Sequence, residues 1–174
     1  MKKSIFTVRE LVVCAMLVAL FVAQSFLNIY ITPAMRISFE FLPLAIAGYL
    51  YGPFAAMLVG GIGDFLGIFW KPSFTPFYTI VFVIGGLIFG LLLHNNRKET
   101  RKVSQQIRRI ILACLTYAVI VDVVLSSVVL HFILNFSFEI VWRLLKGVIV
   151  MVMYPVAVIP IFKLIDKVYK RETV

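Results

Sequence analysis

The stretch FLPLAIAGYLYGPFAAMLVGGIGDFLGIF, residues 41–69, is apolar throughout except for Asp64. A membrane-crossing helix takes about 20 residues, so this stretch is too long for one crossing and short for two. Tyr51-Gly52-Pro53 lies near its middle. Glycine is favoured just past a helix end and proline at the first helical position, so the tripeptide predicts a tight turn between two helices, about 41–51 and 53–69. The first is too short to cross alone. It must tilt, shelter among neighbours, or be continued by residues 32–40.

Outward from this pair, further apolar stretches occupy about 11–31, 77–93, 110–134 and 140–162. The chain is 62% hydrophobic, with a mean hydropathy of +1.03, whereas soluble domains are about 45–50% apolar. Lipid accommodates this excess better than a small soluble core would. Lys2 and Lys3 before an apolar run, with Ala23-Gln24-Ser25 beyond, resemble a secretory signal and its cleavage site. Because the later segments are also membrane-like, an uncleaved first helix is the preferred reading.

Charge distribution decides the number of crossings. The net charge is +9, and the basic residues cluster at Lys2, Lys3 and Arg9, at Arg97 through Arg109, and at Lys163 through Arg171. Clusters that flank apolar spans read as cytoplasmic anchors rather than as a nucleic-acid surface. Six helices put all three clusters on one side; five would put the 94–109 loop opposite the N-terminus. The expectation is therefore an all-α integral membrane protein. It has six transmembrane helices in a single domain, 1–174, with N- and C-termini cytoplasmic. Connections near 28–40, 70–76 and 134–139 then face outward, carrying Arg36, Glu40, Lys71 and Glu139.

Several features suit ligand capture. Ionisable groups within lipid are costly and are functional candidates by default; here they are Asp64, Asp122, Arg143 and Lys146. An Asp122–Lys146 pair is within reach by depth and is either structural or ligand-linked. Glu139 and Arg143 sit four apart, as in an ordinary surface pair, and His131 shares a face with Asn135. The 70–78 segment, Trp70-Lys71-Pro72-Ser73-Phe74-Thr75-Pro76-Phe77-Tyr78, is either an interfacial aromatic belt or a stiff wall for a flat ligand. Gly63 and Gly67 share one helix face, as do Gly86 and Gly90, for close packing or for backbone contact with a ligand. Ala15, Ala19 and Ala23, four apart, make a smooth stripe for packing within the chain or for docking a partner. Cys14 and Cys114 lie in apolar runs and read as packing residues. No phosphate-loop motif, metal-ligand cluster or Ser/His/Asp set is present, so no cofactor, metal site or catalytic residue is expected.

These residues resemble a known family. Ile37-Ser38-Phe39-Glu40-Phe41-Leu42-Pro43, Tyr51-Gly52-Pro53, Gly60 through Gly67 with Asp64, Pro72-Ser73-Phe74-Thr75, and Gly85-Gly86-Leu87-Ile88-Phe89-Gly90 are similar to the S components of energy-coupling factor (ECF) transporters, most of all the folate family. The match covers about residues 9–94, and the remainder matches in plan. One departure is that the loop before Phe74 is shorter here than in folate-family members. The resemblance implies a vitamin-binding subunit of a bacterial plasma membrane importer, not itself an enzyme. It would dock on a transmembrane coupling subunit joined to two ATPases and topple in the bilayer to deliver its vitamin. It assigns docking to Ala15, Ala19 and Ala23. For folate, Trp70, Phe74 and Tyr78 are expected to sandwich the ring, and Asp64 and Thr75 to bond its polar edge. Arg36, Lys71, Arg143 and Lys146 are expected to hold the carboxylates. The other readings are a different vitamin, such as pantothenate, and a stand-alone oligomeric carrier.

Overall fold

A computed structural model describes residues 7–27, 29–32, 35–69, 77–94, 103–126, 128 and 140–172. The chain divides into two compact units, Met1–His94 and Asn95–Val174.

Among the described residues the first unit contains four helices: α1 (Val8–Ser25), α2 (Phe41–Tyr51), α3 (Pro53–Ile68) and α4 (Phe77–Leu93). A capping box starts α1: the Thr7 hydroxyl accepts from the Glu10 backbone N–H at 3.4 Å, and the Glu10 carboxylate accepts from the Thr7 N–H at 2.9 Å. Two orphan donors of the first turn are thereby satisfied. The helix stops at Ser25, inside the apolar stretch that runs to about residue 31. An antiparallel hairpin follows instead, β1 (Ile29–Thr32) with β2 (Met35–Ile37), paired through Ile29–Ile37 and Tyr30–Arg36 and bulged between Tyr30 and Thr32. The hairpin lies within the connection expected near 28–40, and the fold class remains all-α. Ile29-Tyr30-Ile31-Thr32 is β-branched and aromatic, which suits a pleated strand as well as hydropathy suits a helix. Residues 35–37 therefore belong to a strand, and α2 is not extended backwards through them.

The α2–α3 elbow forms as expected. Gly52 has φ +89°, a left-handed conformation that glycine adopts without steric cost. Its N–H donates to the Gly48 carbonyl at 3.2 Å, its own carbonyl accepts from the Ala56 N–H at 3.2 Å, and Pro53 opens α3. At about 1.5 Å per residue, α2 is roughly 16 Å long, about half a hydrocarbon core.

α3 is the central helix of this unit, packed against α1, α2 and α4. In lipid, helices associate by close van der Waals packing, and small residues let backbones approach. A methyl group added to Gly86 of α4 would stand 2.5 Å from the Ala56 carbonyl oxygen of α3, and one added to Gly90 would overlap Pro53. These glycines serve packing. Around them, Phe21, Phe41, Leu44, Ala55, Val59 and Phe89 are fully buried.

The second unit contains α5 (Val103–Tyr117), continued as a π-helical segment (Ala118–Leu125), and α6 (Ile140–Glu172). α6 carries Pro155 and Pro160 internally, which membrane helices tolerate where neighbouring groups satisfy the freed carbonyls. Val150, Tyr154, Val158 and Phe162 are buried at four-residue spacing, and Ile110, Cys114, Ala118 and Val121 on the α5 side are buried three or four residues apart, so each helix buries one face. Among the described residues, Val8–Ser25 and Gly147–Leu164 are long and apolar enough to cross a membrane, and α2, α3 and α4 are shorter apolar helices.

Candidate functional site

The first unit buries two carboxylates completely, Glu40 just before α2 and Asp64 on α3. Asp64 sits one turn before the end of its helix, where α3 approaches the start of α4. The Thr79 hydroxyl on the first turn of α4 donates to Asp64 Oδ2 at 2.8 Å. The pair bridges the two helices that the 70–76 connection joins in sequence. Beside it, Phe21 of α1 reaches between α3 and α4. It meets Phe82 edge-on, ring centroids 5.1 Å apart, and lies so close to Gly63 that a methyl there would stand 2.7 Å from its Cδ1. Three helices therefore converge at the level of Asp64. Gly63 is occupied by this ring, so its lack of a side chain serves packing rather than backbone contact with a ligand.

Tyr78, next to Thr79, is half-buried on the same turn of α4. Asp64 and Tyr78 thus lie at one end of the α3–α4 pair. Trp70, Lys71, Phe74 and Thr75 lie outside the described residues. So do His131, Asn135 and Glu139. The backbone of Arg36 lies in β2, and those of Arg143 and Lys146 in α6; their side chains are outside the described set.

The second unit holds its own polar pair. The Tyr154 hydroxyl on α6 donates to Asp122 Oδ2 at 2.7 Å, and the Tyr154 ring meets Tyr117 at 5.8 Å between centroids. Asp122 lies within the π-helical segment, and such segments concentrate at functional sites. The described partner of Asp122 is Tyr154, about two turns along α6 from the expected Lys146.

α1 has two distinct faces. Leu17, Phe21 and Ser25 are buried, whereas Ala15, Ala19 and Ala23 are exposed. The two sets are offset by two residues, about 200° around the helix. The alanine stripe is turned away from the core that α1 helps to build.

Sequence reasoning missed Thr79, Tyr154 and Phe21. Asp64 marks itself, being a lone carboxylate in an apolar helix. Thr79 carries no such mark, because a hydroxyl in an apolar helix is unremarkable until its partner is known.

Residues 5–168 match the family described as ECF-type riboflavin transporter, S component. The chain belongs to this family. It is also similar to the folate transporter FolT of Clostridium novyi (strain NT), with 43% identity over 51 residues. That segment spans 28% of this chain and 30% of the relative, well under two thirds of its length. Among solved structures, FolT bound with folic acid matches with a TM-score of 0.73 and 27% identity, over 87% of this chain and 91% of that one. The S component of a bacterial ECF transporter matches with a TM-score of 0.73 and 19% identity, over 93% and 98%; that likeness is one of fold. This chain is thus an S component, a membrane transport subunit rather than an enzyme, and resembles the folate branch.

Proposed function

We propose that this S component captures folate at the outer membrane face and delivers it inward by toppling with an ECF module made of a transmembrane coupling subunit and two ATPases. The observation that carries the reading is the likeness to FolT bound with folic acid across 87% of the chain. Six crossings of a bacterial plasma membrane, with both termini cytoplasmic, fit the distribution of the Lys and Arg clusters. They also make residues 1–174 one substrate-binding domain. In this arrangement the connections near 28–40, 70–76 and 134–139 face outward.

Folate pairs a flat hydrogen-bonding ring with a glutamate tail bearing two carboxylates. Trp70, Phe74 and Tyr78 sandwich the ring, with Thr75 and Asp64 at its polar edge. Arg36, Lys71, Arg143 and Lys146 take the carboxylates, where Arg can bind both oxygens at once. Docking uses the exposed face of Ala15, Ala19 and Ala23, whose small side chains admit a partner helix closely. The supporting observation is that this face is not consumed by packing with α2–α4.

A second reading, riboflavin as ligand, is favoured by the description of the matching family. Riboflavin is also a flat fused ring but has no carboxylate, so it uses the aromatic sandwich without the cations.

Uptake of labelled folate into proteoliposomes tests the transport reading. Accumulation that requires ATP, the coupling subunit and the ATPases supports it. Uptake by the chain alone, without those partners, refutes it. Exposure of the region around Arg101 to an impermeant reagent outside intact cells would refute the topology.

A further inference from the structure

We infer that the exposed side of the α5–α6 pair binds the phosphate headgroup of an anionic membrane phospholipid, held by Arg108 and Arg109 of α5 and Lys163 of α6. The inference is independent of which vitamin the chain carries and rests on the membrane placement of its family.

α5 and α6 run antiparallel. A methyl group on Gly147 of α6 would meet Val123 at 3.0 Å, whereas Tyr154, further along α6, meets Tyr117, earlier in α5. From that ring contact Arg109 lies eight residues back along α5 and Lys163 nine residues onward along α6, about 12 Å and about 14 Å at the helical rise. Arg108, Arg109 and Lys163 therefore share one level, and all three are exposed. Among the described residues, none of the three has a hydrogen-bond or ion-pair partner. The neighbouring sequence does not neutralise them: residues 97–109 carry six basic side chains against Glu99 alone, and 163–172 carry four against Asp166 and Glu172.

The surface next to the cations decides the class of anion. On α5 the exposed side continues from Arg108 and Arg109 through Leu112 and Val119 to Val124, and on α6 from Lys163 through Val156 and Val152 to Val148. Both helices thus change from apolar to cationic at the same level. A soluble anion, or an acidic protein segment at the aqueous edge, would use the charges alone. A phospholipid complements both parts, with its phosphate on the guanidinium forks and its acyl chains along the apolar side.

The full chain in neutral detergent is titrated with fluorescent phosphatidylglycerol and with phosphatidylcholine of the same acyl chains, and glycerol 3-phosphate is added as a competitor without chains. The parent protein prefers phosphatidylglycerol. Each basic residue at an anionic surface contributes about fivefold, so Arg108→Gln with Arg109→Gln weakens phosphatidylglycerol roughly 25-fold and Lys163→Gln about fivefold. Arg108→Lys with Arg109→Lys falls between, because the charge stays and the fork is lost. Lys2→Gln with Lys3→Gln, which removes two cations elsewhere, leaves the affinity unchanged. Equal affinity of the parent for the two lipids, an undiminished preference in the double glutamine variant, or an equal loss in the Lys2 and Lys3 variant overturns the inference. Displacement of the lipid by an equal concentration of glycerol 3-phosphate overturns it in favour of a soluble anion. If the double glutamine variant does not fold, the parent and Lys163→Gln affinities decide by the same criteria. Incorporation into phosphatidylcholine nanodiscs without any preference for phosphatidylglycerol removes only this site; failure to incorporate removes the membrane placement itself.

Discussion

Phe21 of α1 lies against Gly63 of α3 so closely that a single methyl group on the glycine would come within 2.7 Å of its ring. α1 therefore has two distinct faces. Its aromatic face locks the three-helix junction beside Asp64, and its alanine face is exposed, the face to which the proposed function assigns docking. The same contact explains why small residues accumulate in α3: they admit side chains and backbones of three neighbouring helices.

Gly63→Ala is expected to destabilise the protein. Overpacking in a rigid interior costs about 1–3 kcal/mol, because Phe21 is itself held by Phe82 and cannot retreat freely. Gly61→Ala meets only the side-chain tip of Val83, at 3.0 Å, and is expected to cost less. Thermal unfolding of both variants in the same detergent checks the order; a Tm for Gly63→Ala equal to the parent's would contradict the packing account.

Ala19→Leu is expected to weaken assembly without changing ligand affinity. The side chain projects from the exposed face of α1 and has no part in the Leu17, Phe21 and Ser25 face. Co-purification with the coupling subunit should fall sharply while vitamin titration of the isolated chain is unaltered. Loss of ligand binding together with docking would mean that the stripe supports the fold rather than a partner.

How far this could be read from the chain depends on the range of each signal. The α2–α3 elbow was legible because Gly52 and Pro53 act locally, one through its positive φ and the other through its missing N–H. Asp64 was legible as a lone charge in an apolar helix. The hairpin was not, since a short apolar run of Ile29-Tyr30-Ile31-Thr32 has the hydropathy of a helix end and the shape preference of a strand. Nor was Thr79, whose importance arises only when two helices bring it to a residue 15 positions away. The Tyr154 partnership of Asp122 was hidden for the same reason: nothing in the sequence singles out Tyr154 until helix packing brings its hydroxyl to Asp122.

Tyr154→Phe is expected to destabilise the α5–α6 pair. The hydroxyl bond to Asp122 is 2.7 Å long, and hydrogen bonds to charged groups contribute about 1.5–3 kcal/mol. The phenylalanine ring retains the contact with Tyr117, so only the polar part is lost. A fall in Tm, with little further fall when Asp122→Asn is added, is the predicted signature of a coupled pair. Fully additive effects would show that the two residues act separately.

The cations provide a test between the two vitamins. Arg36→Ala or Lys71→Ala is expected to weaken folate about 10- to 150-fold if that residue holds a carboxylate, and to leave riboflavin unaffected. Equal weakening of both ligands would point to a general effect on the outer mouth. Trp70→Ala should weaken either ring-bearing ligand, and no effect on either would remove the aromatic sandwich.

Titration of the purified, partner-free chain with folic acid, with riboflavin run in parallel, tests the central claim most directly. The account predicts saturable one-to-one binding of folic acid at micromolar concentration or below, with riboflavin weaker. Tight riboflavin binding with no heat from folic acid, or no response to either, would contradict it.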